Sequence, residues 1–211
     1  MFGPDPNAIH PNPDIPSVCY IKNTITRSTI LVGEYTYYDD PIDSEHFEDH
    51  VTHHYDFIGD KLIIGKFCAI AKGVEFIMNG ANHRMCGVST YPFNIMGGGW
   101  EKSAPQMRDL PLKGDTVVGN DVWIGQNVTV LPGVHIGDGA IIGANSVVAA
   151  DIPAYSVAAG NPCAVKRMRF DAKMVDYLSA LRWWDWPAEK IFANLDALTS
   201  ADLSRIREIA E

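Results

Sequence analysis

The chain has 211 residues, which is enough to bury one substantial core without a second domain. Its 26 acidic and 17 basic residues give a net charge of -9, and the lack of a basic run argues against a nucleic-acid surface. No stretch approaches the roughly 20 apolar residues of a membrane span, and the N-terminus lacks the features of a signal peptide. A cytoplasmic protein with no membrane partner is therefore expected.

The N-terminal part of the chain alternates between irregular and patterned segments. Residues 1–29 are rich in Pro, Asn and Thr and predict an extended lead-in. Residues 32–36 have the form of an isolated forerunner of the repeat found further on. The charged stretch 39–54 interrupts that repeat and predicts an excursion with one helical turn.

A six-residue repeat dominates the second half of the chain. An aliphatic residue recurs without a break at Val118, Ile124, Val130, Ile136, Ile142 and Val148. A small or β-branched residue follows four places later, at Val122, Val128, Val134, Ala140, Ser146 and Ile152. This period predicts a parallel β-helix, an all-β solenoid in which three units form one triangular coil and both recurrent positions point inward. Residues 64–76 keep the pattern, and Cys68 falls on an inward position, where it is expected to act as a small apolar residue.

A long segment without repeats, residues 77–116, separates the two repeat regions. It contains an Asn-Gly-Ala-Asn-His-Arg run at 79–84, a Ser-Thr-Tyr-Pro-Phe run at 89–93, three glycines at 97–99 and then Trp100. Loops of this length inside a compact domain are usually functional. We therefore expect the segment to carry part of a site.

Histidine is the residue type with the clearest chemical potential, since the chain lacks GxSxG, P-loop, GxGxxG and HExxH motifs. His83 lies near the start of the long loop, where a neutral imidazole is suited to take a proton from an alcohol; a structural loop histidine is the alternative. His135 lies inside a repeat and is expected on the surface. His46 and His50 are spaced like metal ligands on a helix, but their acidic loop favours solvated side chains. His53–His54 adjoin the return to the repeat and could line a cleft.

The repeats end near residue 153, and the pattern then becomes helical. Asp171 is a plausible N-cap, and an apolar face is formed by Met174, Tyr177, Leu178, Leu181 and Trp184. A second helix is predicted from Ala188 through Leu195, and a third after Ser200. The chain thus divides into a β-helix domain, residues 1–170 with the inserted loop 77–116, and a C-terminal helical cap, residues 171–211, that closes the open end of the coil.

Several segments resemble the xenobiotic acetyltransferases, the branch of the hexapeptide-repeat acyltransferases that modifies antibiotics. They are residues 79–84, 89–93, 113–125 and 182–187. Within that branch, the runs at 78–85 and 98–102 resemble the virginiamycin (streptogramin A) acetyltransferases more than the hexapeptide-type chloramphenicol acetyltransferases. The resemblance extends from Val32 to about Leu195.

The resemblance implies a left-handed β-helix, a homotrimer, acetyl-CoA as the acyl donor and no metal. The family's catalytic base falls on His83, and its tryptophan near the acyl donor falls on Trp123, which also lines the acceptor site. The positions that form the acceptor pocket match Tyr37, Tyr38, Tyr55, Leu110 and Pro111; surface packing is the alternative for the adjacent tyrosine pair. The positions that hold coenzyme A match Gly143, Gly160, Asn161, Lys166 and Arg167, and with Arg169 the last two form a positive patch suited to phosphates.

These expectations combine into an O-acetyltransferase that inactivates streptogramin A antibiotics, with His83 removing the proton from the acceptor hydroxyl. The nearest alternative is the same chemistry on chloramphenicol, another xenobiotic or a sugar. A metal-dependent lyase would need a set of histidines of which only His83 and His135 lie near the coils. A non-catalytic scaffold would leave the long loop and Trp123 without a role.

Overall fold

The computed structural model describes residues 2–200 and 202–208, and it is built mainly of short strands. Within these residues the strands are β1 Val18–Tyr20, β2 Ile30–Val32, β3 Tyr37–Asp39, β4 Val51–Thr52, β5 Leu62–Ile64, β6 Ala69–Ala71, β7 Glu75–Ile77, β8 Thr116–Val118, β9 Trp123–Ile124, β10 Thr129–Val130, β11 His135–Ile136, β12 Ile141–Ile142, β13 Val147–Val148, β14 Ser156–Ala159 and β15 Ala164–Met168. Most have two or three residues, because a six-residue unit must also turn a corner before the next strand begins.

The strands form three sheets, and the chain moves to the next sheet with each repeat. The first sheet has the order β1-β3-β6-β9-β12-β14-β15, the second β13-β10-β7-β4 and the third β11-β8-β5-β2. The pairs are parallel within all three sheets, apart from β1 with β3 and β14 with β15 at the two edges of the first. Trp123 pairs with Ile141 and Thr129 with Val147, so positions three repeats apart are stacked. The predicted parallel hexapeptide architecture is confirmed to this extent.

Both recurrent positions of the repeat point into one core. Val118, Val122, Ile124 and Val128 have at most 1% of their surface exposed. Burying one such side chain contributes about 1.5–3 kcal/mol, so every added row of inward residues stabilises the stack. Cys68 is buried in the same core, as predicted, and burial raises the pKa of its thiol to about 12.

The stacking begins earlier than the repeat indicated. Strands β2, β3 and β4 pair with β5, β6 and β7, so the interpretation of residues 32–36 as an isolated forerunner is wrong. The excursion that follows is confirmed but shorter than predicted, since a 3₁₀ helix spans Phe47–His50 and Val51 already lies in β4. Phe47 is buried against the ring of Phe76, and this contact attaches the charged excursion to the core.

The long loop leaves the second sheet after β7 and enters the third sheet at β8. It contains four 3₁₀ helices, Asn79–Ala81, Phe93–Ile95, Trp100–Ser103 and Met107–Asp109. Its large apolar side chains are largely exposed, among them Met85, Val88, Ile95 and Trp100. A group of exposed apolar side chains on one segment is typical of an interaction surface.

The C-terminal segment is helical, as predicted. It contains α1 Ala172–Leu181, a 3₁₀ helix Trp183–Asp185, α2 Ala188–Ala193, α3 Leu195–Leu198 and α4 Ser204–Glu208. Asp171 caps α1, because its Oδ1 atom accepts the backbone N–H of Met174 at 2.8 Å. Met174, Leu178 and Trp184 are buried, which confirms the core of the predicted apolar face. Within the described part of the chain, every helix is too short or too polar to cross a bilayer.

These helices lie along a corner of the stack, which corrects the prediction that they close its open end. Lys66 forms an ion pair with Asp185 at 2.9 Å, and the rings of Phe67 and Trp183 are in contact. Lys66 and Phe67 belong to the turn between β5 and β6. This turn lies several strands away from β15, after which the helical segment starts. At its two ends the first sheet is instead covered by the antiparallel strands β1 and β15, which reduces the need for a helical cap.

Candidate active site

His83 lies at the root of the long loop, shortly after the 3₁₀ helix Asn79–Ala81. Its ring is exposed, and its Nδ1 atom lies 3.0 Å from the carbonyl oxygen of Thr90. A carbonyl oxygen can only accept a hydrogen bond, so Nδ1 carries the hydrogen and donates it. The lone pair of Nε2 is then available for a proton, which is the state that a general base requires.

Three of the predicted acceptor-pocket residues also lie at this root. Tyr55 packs beside Gly80, where an added Cβ would lie 2.4 Å from the tyrosine ring and 2.3 Å from the carbonyl oxygen of His53. Only a glycine allows so close an approach, so Tyr55 is held beside the loop. Leu110 and Pro111 are half-buried at the other end of the loop, and the carbonyl of Pro111 accepts a hydrogen bond from Asn82, the residue before His83.

A residue that the sequence pattern did not single out extends this apolar surface. The ring of Phe57 is 71% exposed and stacks on Tyr55 with a centroid distance of 5.5 Å and an interplanar angle of 5°. The two rings meet because Tyr55–Ile58 is a turn, closed by the N–H of Ile58 donating to the carbonyl oxygen of Tyr55 at 2.9 Å. The sequence signal was limited to two aromatic residues separated by one residue.

A second group of predicted residues lies on the outer face of the first sheet. The strand register aligns Tyr37 with Ala69, Ala69 with Trp123 and, further on, Val157 with Arg167. Trp123 points outward and is 53% exposed, as predicted for its position in the repeat.

Tyr38, in contrast, points inward. Its side chain has no exposed surface, its hydroxyl donates to Asp40 at 3.2 Å, and the backbone N–H of Gly73 donates to that hydroxyl at 3.1 Å. His50 Nε2 lies 3.1 Å from the same oxygen. Neighbouring residues of a strand face opposite sides, so Tyr37 and Tyr38 cannot both line one pocket, and we leave Tyr38 out of it.

The residues predicted to hold coenzyme A lie toward the end of the first sheet. Gly143 follows β12, and an added Cβ there would lie 2.9 Å from that of Ala159. Gly160 and Asn161 form the turn between β14 and β15, and the N–H of Gly160 donates to Ser146 Oγ at 3.0 Å. Lys166 and Arg167 are exposed on β15.

Arg169 does not complete the predicted positive patch. Its Nη1 atom donates to the carbonyl oxygen of Gly139 at 2.6 Å and lies 3.7 Å from Asp121 Oδ2. Its guanidinium also lies 5.8 Å from the ring centroid of Tyr155. These contacts direct the charge into the corner beneath the C-terminal helices, so Lys166 and Arg167 are the exposed cations of β15.

The two groups of site residues belong to different parts of one chain. The loop root with His83, Tyr55 and the pair Leu110–Pro111 connects the second and third sheets, whereas Tyr37 and Trp123 lie on the first sheet. A site that uses both groups therefore requires either a large approach of the loop or a second chain.

The remaining titratable residues offer little alternative chemistry. His54 is buried, His46 contacts Asp43, and His135 is exposed on the third sheet, as predicted. Among residues 2–200 and 202–208, no group of three or more His, Cys, Asp or Glu side chains is arranged to hold a metal ion. Burial also raises the pKa of Cys19 to about 11, which makes it a poor nucleophile at neutral pH.

The hexapeptide strands and the histidine-bearing loop define a hexapeptide-repeat transferase, and a family model described as "Bacterial transferase hexapeptide (six repeats)" matches residues 115–150. A probable macrolide acetyltransferase of Lysinibacillus sphaericus is 63% identical over 156 residues, covering 74% of this chain and 87% of that protein. Virginiamycin A acetyltransferase of Staphylococcus aureus is 51% identical over 205 residues, covering 97% and 93%. Chloramphenicol acetyltransferase of Agrobacterium fabrum is 39% identical over 193 residues, covering 88% and 90%. This chain belongs to the xenobiotic hexapeptide-repeat acetyltransferases, which confirms the resemblance found in its motifs.

Proposed function

We propose that this protein transfers the acetyl group of acetyl-CoA to a hydroxyl of a streptogramin A antibiotic and thereby inactivates it. The observation that carries the proposal is the arrangement of the loop root: His83 Nδ1 is bonded to Thr90, which leaves Nε2 to accept a proton, and the residues just before His83 contact the proposed acceptor pocket, Gly80 at Tyr55 and Asn82 at the carbonyl of Pro111. The identity to the virginiamycin A acetyltransferase over 97% of the chain supports the choice of acceptor.

The chemistry follows from the hydrogen bond that His83 makes. Nε2 accepts the proton of the acceptor hydroxyl while that oxygen attacks the thioester carbonyl of acetyl-CoA. The new C–O bond forms, the C–S bond breaks, and the coenzyme A thiolate leaves and takes up the proton from the imidazolium. The carbonyl of Thr90 stabilises the transient positive charge, because it accepts from Nδ1 throughout. Direct transfer agrees with the neighbours of His83, since its ring nitrogen contacts a carbonyl rather than a hydroxyl or thiol.

The proposed coenzyme A site lies along the first sheet. Trp123 offers a flat, exposed apolar face for the acyl end, and the turn at Gly160–Asn161 lies between β14 and β15 of the same sheet. Lys166 and Arg167 provide exposed positive charge for the phosphates on an otherwise acidic protein. Because acetyl-CoA is a cytoplasmic metabolite, the proposal carries with it a cytoplasmic location.

We further propose that three chains form a trimer of left-handed β-helices, with each active site between two neighbours. The separation of His83 from Trp123 and the exposed apolar side chains of the long loop support this arrangement, because a neighbouring chain would cover the loop and supply the missing half of the site. In this proposal residues 1–170 carry catalysis, and residues 171–211 stabilise a corner of the coil.

Chloramphenicol is the second candidate acceptor, favoured by the 39% identity to a chloramphenicol acetyltransferase. A thiol-release assay with acetyl-CoA and a panel of a streptogramin A macrocycle, chloramphenicol and a sugar separates the candidates. We expect the highest kcat/KM with the macrocycle. Equal or better use of chloramphenicol would contradict the streptogramin assignment, and no release with any acceptor would contradict the enzymatic function.

A further inference from the structure

We propose that Asn79 and Asn82 are positioning residues that hold the general base in register with the acceptor wall Leu110–Pro111. The inference rests on the proposed function and adds to it two side chains that touch neither substrate. It is carried by a hydrogen-bond network that links the start and the end of the long loop.

The centre of the network is the carboxamide of Asn79, whose residue is 1% exposed. Its Nδ2 atom donates to Asp60 Oδ2 and to the carbonyl oxygen of Gly114, each at 2.7 Å. Its Oδ1 atom accepts from the backbone N–H of Lys113 at 2.7 Å and from Asn82 Nδ2 at 3.3 Å. All four hydrogen-bonding positions of the amide are thus used, and they join the first residues of the loop to its last ones.

Asp60 anchors this amide to the stack. The carboxyl group is buried, and its Oδ2 atom accepts a second bond from the backbone N–H of Asn79 at 2.9 Å. The backbone carbonyl of Asp60 is close to Nε2 of the buried His54, at 2.9 Å. Asp60 lies two residues before β5, so the network is anchored close to the start of a strand of the stack.

Asn82 carries the constraint to the reacting groups. Its Nδ2 atom donates to the carbonyl oxygen of Pro111 at 3.2 Å as well as to Asn79. One amide therefore fixes the backbone directly before His83 and a carbonyl of the acceptor wall. Rotation of this amide would move the base and the wall relative to each other.

The rest of the loop provides little of this order. From His83 to Gln106 the side chains are mostly exposed, so the position of the imidazole depends on the loop root and on the bond to Thr90. A general base must be held within about 0.5 Å of its productive position, and a displacement of about 1 Å can cost 10²-fold in rate. Two short amides at the root supply that restraint.

The test is Asn82→Ala, which removes both bonds of a half-buried side chain and leaves the buried Asn79 in place. We expect kcat to fall about 10- to 100-fold with an unchanged KM for acetyl-CoA, because only the alignment of the base is lost. Hydrogen exchange of the backbone amides of residues 83–90 in the free protein should become faster, at an unchanged thermal midpoint. Asn194→Ala is the matched control, since its amide makes one bond, to the Lys190 carbonyl at 2.7 Å in the C-terminal segment.

Asn82→Asp separates hydrogen bonding from space filling. The new carboxylate has the shape of the amide but cannot donate, and it would face the oxygen atoms of Asn79 and Pro111. We expect kcat, measured on the pH plateau of each variant, to fall at least as far as in Asn82→Ala. Wild-type kcat in a folded Asn82→Asp variant would overturn the positioning role.

The inference and the proposed function fail in different ways. If the wild type acetylates no acceptor, the function is wrong, while the exchange rates still decide whether the network orders the loop. If the wild type is active and Asn82→Ala leaves kcat unchanged, the positioning role is wrong, whatever the exchange rates show.

Discussion

At the scale of single residues, the hydrogen bond between His83 Nδ1 and the Thr90 carbonyl has the largest chemical consequence. It selects the tautomer whose Nε2 can accept a proton, and the ring itself is exposed. Burial raises the pKa of Cys68 to about 12, so this thiol cannot compete as a nucleophile. Direct transfer with one general base is therefore the simplest chemistry for these side chains.

Removing the base should affect turnover and not donor binding. We expect His83→Ala to lower kcat by about 10²–10⁴-fold, the range for loss of a general base, with KM for acetyl-CoA little changed. Steady-state kinetics with both substrates measures this. His135→Ala, which removes an exposed histidine of the third sheet, serves as the control. Near wild-type turnover in a folded His83→Ala protein would refute the assignment.

The acceptor wall should act through apolar contact. Leu110→Ala is expected to cost about 1–3 kcal/mol of affinity for a streptogramin A macrocycle, the scale of burying one aliphatic side chain. Chloramphenicol is smaller and should lose less, and acetyl-CoA binding should be unaffected. The measurement is kcat/KM for both drugs with the Leu110→Ala variant. Leu31→Ala, which changes an exposed leucine on the third sheet, is the control. Equal losses for both drugs would argue against a wall that selects by size.

At the scale of elements, the corner beneath the C-terminal helices combines strained backbone with a partly buried carboxyl, that of Asp121, whose side chain is 33% exposed. Asp121 and Tyr155 occupy the left-handed region with φ of 56° and 54°. Tyr155 packs in one cluster with Met174 and Trp184 of the C-terminal segment, and Asp121 Oδ2 lies 3.7 Å from Arg169 Nη1. Burial raises the pKa of Asp121 to about 6, and the attraction of Arg169 offsets this only in part. Folding at this corner therefore favours the protonated carboxyl.

This shift gives a signed prediction for stability against pH. Between the ordinary pKa of 3.8 and the folded value of about 6, the folded state keeps a proton that the unfolded state has released. The contribution of Asp121 to stability therefore falls as pH rises through this window and is then constant. Asp121→Asn removes this titration. The thermal midpoint of the variant minus that of the wild type should therefore increase as the pH is raised from about 4 to about 6.

The control for that measurement is Asp196→Asn, which changes an exposed carboxyl of α3. Its midpoint relative to wild type should stay level over the same pH range. If the midpoint difference between Asp121→Asn and the wild type is also independent of pH, the corner does not favour the protonated carboxyl of Asp121.

At the scale of the whole molecule, the separation of the two site groups predicts that activity depends on assembly. If His83 of one chain meets Trp123 of its neighbour, then His83→Ala chains and Trp123→Ala chains should complement each other. With random mixing in a trimer, about a quarter of the shared sites regain both residues. Co-expression followed by the thiol-release assay should give activity well above that of either variant alone.

Two results would contradict shared sites. One is a mixture no more active than the better of its two parents, with mixed assembly verified by differential tagging. The other is a protein that light scattering shows to be a monomer and that has full activity in the thiol-release assay.

The sequence by itself determined the local features. The six-residue period predicted the short strands, the inward side chains and the outward Trp123, because strand geometry ties side-chain direction to position in the repeat. The N-cap at Asp171 and the apolar face of α1 were equally local, since they depend on neighbours three or four residues away. Among site residues, the chemistry of the loop left His83 as either a base or a structural histidine, and the resemblance of its motif to the family selected it as the candidate base.

Only the tertiary structure decided what depends on distant partners. The first turn of the stack lacks a clean repeat, so the inward direction of Tyr38 follows from pairing with β6 rather than from its own segment. The C-terminal helices lie along a corner because Lys66 and Phe67, more than a hundred residues away in sequence, provide their contacts. The Asn79 amide likewise acquires its role from Asp60, Lys113 and Gly114, which folding brings together, and a linear pattern contains no signal for such a meeting.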